Sequence, residues 1–190
     1  MSDNGIDGEE STRSTDLRTK HPLLHSWTLW YDSGAPAPGG TWGDNIKEVF
    51  SVSTVEDFWR LYNNINRASN IPMGATYNFF KQGIQPKWED PNNGQGGKWT
   101  VIIPKQGNKN SIDTWWLNTM DDEGDNICGA VINLRKNQDK LSIWTKNADD
   151  KEKENTMKIG RAFKKVLETQ EPVGYSGHKQ ENARVPKYTA

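Results

Sequence analysis

The hydrophobic and polar positions along the chain divide it into strand-like and helix-like segments. Runs dense in β-branched and aromatic residues predict five strands, at 26–32, 75–82, 98–103, 127–135 and 140–146. Apolar residues at helical spacing predict three helices, at 53–65, 111–120 and 154–168. Because the strands follow one another as hairpins with helices between some of them, the sequence predicts an α+β fold with one antiparallel sheet and helices on one face.

The helix over 53–65 carries the clearest pattern. Ser53, followed three residues later by Glu56, predicts a capping box. Four apolar residues fall on one face of this helix: Phe58, Leu61, Tyr62 and Ile65. Trp59 lies about 110° from the centre of that face. Two interpretations stay open for Trp59: it packs at the margin of the helix, or it stands exposed as the anchor for a partner.

The two ends of the chain differ from its middle. Residues 1–20 have almost no apolar side chains and are expected to form a disordered tail. The 190-residue length fits one domain, over 21–190, with a flexible segment from about residue 175. Within that domain the third helix is predicted to turn one apolar series to the core: Ile159, Phe163, Val166 and Leu167.

Composition limits the classes of function. The formal net charge of -1 excludes a bulk electrostatic attraction to nucleic acid or to a membrane. A single cysteine, Cys128, excludes an internal disulfide and fits a reducing compartment. With no apolar run of membrane length and no signal peptide, the chain is expected in the cytoplasm, with a nuclear pool. Nine tryptophans exceed what a core of this size needs. Some, such as Trp99, are expected in the core, and others are expected to face a ligand or a partner.

The sequence offers no motif for catalysis or metal binding. His21, His25 and His178 lie near the two ends of the chain without metal-ligand spacing. Cys128 stands in mid-strand, where a small buried residue is expected. The acidic loop at 120–126 lacks the pattern of a calcium loop. We therefore expect a protein that is not an enzyme and that holds no metal or cofactor.

A pair of cations is predicted at the hairpin that joins the last two predicted strands. The four-residue loop 136–139 sets Arg135 opposite Lys140, so that both project from one face. This pair is either the solvated end of a hairpin or a phosphate site, in which Arg135 supplies a planar fork and Lys140 a point charge. Lys98, at the start of another strand, is a candidate third cation.

The stretch KWEDPNNGQGGKW suggests what accompanies the phosphates. Trp88 offers a flat surface on which a nucleobase can stack, and the Glu89 carboxylate can accept hydrogen bonds from a base with N–H donors, as guanine has. Trp42 is a candidate second wall, and two facing tryptophans favour a positively charged base by cation–π attraction. Asp90 is expected to cap a turn.

Seven motifs follow one another along the chain: HPLLHSWTLWY, TWGDN, STVEDFWRLYNNI, GIQPKWED, GGKW, ICGAVINLR and LSIWTK. In this order and at these spacings they resemble the eukaryotic translation initiation factor 4E family, which binds the 7-methylguanosine cap of messenger RNA. The resemblance implies a curved antiparallel sheet with the cap on its concave side and helices on its convex side. Because it has tryptophan at both positions 27 and 42, the chain resembles the initiation-competent class of the family.

Carried over residue by residue, the resemblance implies a complete cap site. Trp42 and Trp88 would sandwich the methylated guanine, and Glu89 would bind its Watson–Crick edge. The remaining contacts would be Trp144 near the methyl group, and Arg135, Lys140 and, through water, Lys98 on the phosphates.

The resemblance also implies a second surface, on the helical side, that grips a Tyr-x4-Leu-φ motif (φ is any apolar residue) in the initiation scaffold and in inhibitory binding proteins. The matching residues are His21, Pro22, Val55, Trp59 and Leu117. Just beyond them the chain departs from the family. The second helix meets the acidic loop about eight residues early, some two turns of helix, and Asn118 replaces a usual acidic residue. The missing turns supply part of the groove, which puts scaffold binding in question.

These observations lead to three hypotheses. The first is a non-catalytic factor that binds capped messenger RNA and recruits the initiation scaffold, with no membrane partner, and that is monomeric outside the initiation complex. The second is a regulator that competes for caps without recruiting the scaffold effectively. The third, a tryptophan-lined glycan-binding module, leaves the Arg135 and Lys140 pair unexplained.

Overall fold

The computed structural model describes residues 19–34, 39, 45–105, 109–120, 124–180 and 185–190. The strands in this part of the chain are β1 Pro22–Asp32, β2 Ile46–Thr54, β3 Thr76–Lys81, β4 Gly97–Pro104, β5 Ile127–Asn133, β6 Gln138–Thr145, β7 Val173–Gly177 and β8 Tyr188–Thr189. The α-helices are α1 Val55–Asn64, α2 Lys109–Thr119 and α3 Lys153–Val166, and short 3-10 helices cover Ala68–Asn70 and Asp150–Glu152. The predicted tail lies outside the described residues up to position 18.

The strands form one curved antiparallel sheet in the order β2-β1-β3-β5-β6-β4-β7-β8. This confirms the predicted α+β fold, and each predicted strand and helix is present with shifted ends. Three strands were not predicted. β2 is an edge strand in which only Val52 is buried, so its hydrophobic signal is weak. β7 contains two glycines, and β8 is only two residues long.

The strand register gives the sheet two different faces. One continuous row of register partners is almost fully buried: Leu29, Phe79, Ala130, Ile143, Trp99 and Tyr175. The helices pack on the side of the sheet that carries this buried row, which we call the helical face. Phe58 of α1 meets Phe79 edge-on at 6.0 Å, and Trp116 of α2 stacks with Tyr77 at 6.4 Å. The indole of Trp99, which is in the core as predicted, donates to the carbonyl of Thr156 on α3 at 3.0 Å.

The neighbouring register row points to the opposite side, which we call the open face, because successive side chains of a strand alternate. It crosses the sheet through Trp30, Asn78, Val131, Ser142 and Thr100. Within the part of the chain that the structure describes, the apolar cluster on this side contains no residue of a helix: Phe80, Cys128 and Val131, with Trp30, Ile84 and Trp144 against them. The open face is thus the more polar side of the sheet.

Two details of the helices correct the sequence predictions. The N-cap of α1 is Thr54, not Ser53: its hydroxyl accepts the backbone N–H of Asp57 at 3.2 Å and donates to the Asp57 carboxylate at 2.8 Å. The N-cap is therefore displaced by one residue, and the Asp57 carboxylate bonds to the hydroxyl of Thr54. On α3, Phe163 is buried as predicted, but Val166 is 43% exposed because it lies at the edge of the buried stripe.

Candidate functional site

The loop between β3 and β4 presents two of the predicted site residues to solvent. Trp88 is 49% exposed, and Glu89 beside it is exposed as well. Asp90 is buried, and its carboxylate accepts the backbone N–H groups of Gln85 and Asn92, each at 2.9 Å. The prediction that Asp90 caps a turn is confirmed.

Lys98 and Lys140 lie on the open face with Trp144. The register sets Lys98 opposite Trp144, and its ammonium lies 5.9 Å from the centre of the indole. Lys140 precedes Trp144 by four residues on β6, which is about 13 Å along the strand. Burial, and next the charge of Lys140, lowers the pKa of Lys98. Two like charges on a partly desolvated surface make this region favourable for an anion.

Arg135 lies beyond the end of β5 and is not on the ladder. The structure pairs Asn133 with Lys140, so the predicted pairing of Arg135 with Lys140 is wrong. The carboxylate of Asp139 provides the reason. It is 2% exposed and accepts the backbone N–H of Arg135 at 3.0 Å, which closes the connection before residue 135 can join β5.

The guanidinium of Arg135 is held against the start of β3. Its Nη1 donates to the carbonyls of Gly74 at 2.7 Å and of Ala75 at 3.1 Å. Thr76, the next residue, and Lys140 are both register partners of Asn133. Arg135 and Lys140 therefore still lie at the same end of the open face, opposite the end that carries Trp144.

His178 contacts Trp144 at the other end of this face, and no sequence pattern predicts this contact. The two rings lie 4.1 Å apart between centroids, and Phe80 meets Trp144 edge-on at 5.5 Å. Burial, with a smaller contribution from the charge of Lys98, lowers the pKa of His178 to about 4. The imidazole is thus neutral at physiological pH.

This shift makes His178 a source of acid sensitivity. The unfolded chain takes up the proton near pH 6.5 and the folded protein only near pH 4, so stability is complete above about pH 6.5 and is lost as the pH falls towards about 4. Between about pH 7.5 and about pH 5, the native chain should lose on the order of 1 kcal/mol more stability than His178→Gln. Urea unfolding of both proteins at the two pH values measures the difference. Equal losses would contradict the assignment.

Of the two tryptophans at positions 27 and 42, the structure describes only Trp27. Trp42 lies outside the described residues. Trp27 is 5% exposed on the helical face, stacked on Phe79 at 5.3 Å with an interplanar angle of 7°. The ammonium of Lys81 lies 5.9 Å from the centre of its ring. Trp27 is therefore a core residue on the helical face of the sheet.

A cavity of about 330 Å³ opens on the helical side. It is lined by Leu23, Trp27, Val55, Phe58, Trp59, Phe79, Leu117, Asn118, Met120 and Val166. Trp59 is 44% exposed, which favours the interpretation of this residue as exposed rather than packed at the helix margin. We call this cavity the helical groove. Val55, Trp59 and Leu117, three residues of the predicted scaffold surface, meet in it.

The other two residues of that predicted surface, His21 and Pro22, lie at the start of β1 and contact the start of α1. Pro22 pairs with Thr54 in the sheet, and the carbonyl of His21 accepts the backbone N–H of Val55 at 2.9 Å. The carboxylate of Glu56 is 2.6 Å from Nδ1 of His21 and accepts its backbone N–H at 3.0 Å. These hydrogen bonds from His21 lower the pKa of Glu56 to about 2.

The lone cysteine is a buried structural residue. Cys128 is 1% exposed, as predicted, and burial raises the pKa of its thiol to about 11, so the thiol stays protonated at neutral pH. Within the described residues, no group of three or more His, Cys, Asp or Glu side chains is arranged to hold a metal ion. None of the helices in this part of the chain has the length and apolar character that a membrane span requires.

The family model for eukaryotic initiation factor 4E matches residues 22–189. The chain belongs to this family. Among curated relatives, initiation factor 4E-1 from Phaseolus vulgaris is 43% identical over 187 residues, covering 92% of this chain and 79% of the relative. The corresponding factor from Prunus domestica is 44% identical over 188 residues, covering 91% and 78%. The family consists of translation initiation factors and not of enzymes.

Solved structures of initiation factor 4E share the fold. The 4E-3 protein of Ascaris suum, in complex with an m7G cap, has a TM-score of 0.81 and 38% identity, covering 90% of this chain and 98% of that one. A C. elegans 4E-3 protein in complex with the 4E-binding protein Mextli and a cap analog has a TM-score of 0.79 and 38% identity, with 90% and 100% coverage. The schistosome factor with m7GpppG and 4E-BP has a TM-score of 0.78 and 28% identity, with 90% and 99% coverage.

Proposed function

We propose that the chain binds the 7-methylguanosine 5′ cap of messenger RNA and recruits the initiation scaffold to begin protein synthesis in the cytoplasm. The observation that carries the proposal is the pair Trp88 and Glu89, an exposed aromatic surface beside an exposed carboxylate on a closed turn. A guanine that carries a positive charge suits both groups, because the indole attracts cations and the carboxylate accepts N–H donors. The cap complexes of the Ascaris and schistosome relatives support this assignment.

The base slot is proposed to have Trp42 and Trp88 as its walls, with Glu89 on the Watson–Crick edge and Trp144 near the methyl group. Asn92 supports this arrangement, because its carbonyl lies 3.5 Å from the thiol of Cys128 on β5. Gly129, the next residue, is the register partner of Trp144. The turn that carries Trp88 is therefore tied to the end of the sheet where Trp144 lies.

The cap phosphates are proposed to extend along the open face towards Arg135 and Lys140, with Lys98 assisting through water. The separation of about 13 Å between Trp144 and Lys140 suits a ligand with a base at one end and phosphates at the other. The pKa of Lys98 is lowered first by burial and next by the charge of Lys140, and binding of such an anion would relieve the repulsion between the two lysines.

Removing the guanidinium of Arg135 from the proposed phosphate site should weaken binding of 7-methyl-GTP. Arg135→Ala is expected to weaken 7-methyl-GTP binding about tenfold or more and to flatten its salt dependence, because a charge-assisted contact is lost. Titrations at several salt concentrations measure both effects. Lys136→Ala, which removes an exposed neighbouring cation, serves as the control. An unchanged salt dependence in Arg135→Ala would place the phosphates elsewhere.

The test of the proposed function itself is selectivity for the methylated base. The purified protein should be retained on immobilised 7-methyl-GTP, and 7-methyl-GTP should quench its tryptophan fluorescence far more strongly than GTP does. Equal binding of the two nucleotides would refute the proposal. Binding of neutral sugars without any binding of capped RNA would favour a glycan-binding module instead.

The helical groove is the proposed site for Tyr-x4-Leu-φ motifs of the scaffold and of other binding proteins. The complexes of C. elegans and schistosome relatives with 4E-binding proteins support this role for the family fold. A second candidate function, a cap-binding competitor that does not recruit the scaffold effectively, is favoured by one observation: α2 ends at Thr119 and β5 begins at Ile127, so the connection is short. Binding of a Tyr-x4-Leu-φ peptide at micromolar affinity or better would refute the competitor.

A further inference from the structure

Asn93 is a fully buried residue in the loop that carries Trp88 and Glu89. Its side chain is 0% exposed, and its Nδ2 donates to the carbonyls of Gln85 at 2.8 Å and of Lys87 at 2.9 Å. A buried carboxamide that uses both of its N–H groups on backbone carbonyls fixes the path of the chain between them. Here that path ends directly before Trp88.

Asp90 fixes the chain on the other side of the same two residues. Its backbone N–H donates to the carbonyl of Lys87 at 3.2 Å, and its own carbonyl accepts the backbone N–H groups of Asn93 and Gly94, each at 2.9 Å. Trp88 and Glu89 thus lie in a turn whose two ends, Lys87 and Asp90, are both held by hydrogen bonds.

Directly after this turn, the loop is also bonded to the segments that follow β6 and β7. The carbonyl of Gln95 accepts the backbone N–H of Ala148 at 2.9 Å, and the carbonyl of Gly96 accepts that of His178 at 3.0 Å. A Cβ atom at Gly94 would lie 3.4 Å from the carbonyl oxygen of Trp88, so the chain passes close beneath the turn. The turn is therefore packed against Gly94 in addition to being held by hydrogen bonds at its two ends.

We propose that Asn93 is a positioning residue for recognition of the cap base, an inference that rests on the proposed function. Its carboxamide holds the turn in the binding conformation before the ligand arrives, so that Trp88 and Glu89 need not be ordered on binding. A ligand that binds one conformation has its apparent affinity reduced by the fraction of molecules outside that conformation. Loss of the Asn93 contacts should therefore lower cap affinity without altering any atom that touches the cap.

The variant Asn93→Asp tests this inference with almost no change of shape. It replaces the Nδ2 donor with an oxygen that faces the carbonyls of Gln85 and Lys87. We expect the dissociation constant for 7-methyl-GTP to rise about tenfold or more, mainly through a slower association rate in stopped-flow fluorescence. Gln95→Ala, which removes an exposed side chain two residues on, should stay within about twofold of the native protein.

A merely structural role would give a different set of results. If Asn93 served only global stability, Asn93→Asp would lower the urea midpoint while the folded fraction bound 7-methyl-GTP with native affinity, and the proposal would be overturned. Failure of the native protein to prefer 7-methyl-GTP over GTP would instead refute the proposed function, independently of Asn93.

Hydrogen exchange on the native chain provides a test that does not depend on any variant. The amides of Gln85, Asn92, Asn93 and Gly94, which donate within the turn, should be protected in the protein without ligand. Exchange at unprotected rates, with protection gained only on addition of 7-methyl-GTP, would show that the turn is ordered by the ligand and would overturn the proposal.

Discussion

Trp88→Ala is expected to weaken binding of 7-methyl-GTP about 10-fold to several thousand-fold, the largest effect of any single substitution in the cap site. Stacking of a base on an aromatic side chain contributes about 1–3 kcal/mol, and a positive charge on the base adds about 0.5–2 kcal/mol per face. Each 1.4 kcal/mol corresponds to about tenfold in affinity. Titration calorimetry is the appropriate measurement, because the substitution removes one of the fluorophores.

The half-exposed position of Trp88 makes this prediction specific to binding. Its removal leaves no cavity in the core, so the urea midpoint should change little. Trp88→Phe keeps an aromatic face and should lose less affinity than Trp88→Ala. Glu89→Gln keeps the shape of the side chain that is proposed to bind the Watson–Crick edge, but it removes the charge. It should therefore reduce the preference for 7-methyl-GTP over GTP. Native affinity in Trp88→Ala would mean that the base lies elsewhere.

The sequence predicted elements well where the apolar pattern was strong. β3, with five buried residues in a row, was found within one residue at each end. β2 was not found, because it is an edge strand whose apolar residues Val49 and Phe50 are about half exposed. Such a strand shows neither an alternation of apolar and polar residues nor a run of buried residues. Its pairing with β1 therefore depends on the assembled sheet and cannot be read from the local sequence.

The start of α1 shows why element ends are harder to predict than elements. Ser53 with Glu56 and Thr54 with Asp57 are both hydroxyl and carboxylate pairs at capping-box spacing, and the local sequence does not distinguish them. The choice is made by His21, which lies 35 positions from Glu56 and engages its carboxylate. Asp57 is then the carboxylate that bonds to Thr54.

The positions of the candidate site residues follow from the sequence only in part. The hairpin loop predicts Arg135 opposite Lys140, but the position of Arg135 depends on Asp139, whose burial cannot be read from the loop sequence. His178 was missed as a neighbour of Trp144 for a similar reason. The contact depends on the order β6-β4-β7 in the sheet, which is a tertiary property.

Trp59 is the residue on which partner binding should depend most. It is 44% exposed, yet its ring is held edge-on by Phe58 at 5.3 Å and by Tyr62 at 5.8 Å. An aromatic side chain that is both exposed and held in place loses little entropy on binding, which is typical of an interface hot spot. It also borders the helical groove, where an apolar residue of a partner can be buried beside it.

Trp59→Ala is accordingly expected to weaken binding of a Tyr-x4-Leu-φ peptide about 30-fold or more, since hot-spot truncations cost about 2 kcal/mol or more. Fluorescence anisotropy of a labelled peptide measures this loss. The same variant should bind 7-methyl-GTP as the native protein does, and Trp88→Ala should show the reverse pattern, because the two residues belong to different surfaces. If Trp59→Ala lost both ligands, the two surfaces would be energetically coupled. If the native chain bound no peptide while still binding 7-methyl-GTP, the short connection after α2 would have removed scaffold recruitment, and the cap-binding competitor would be the correct function.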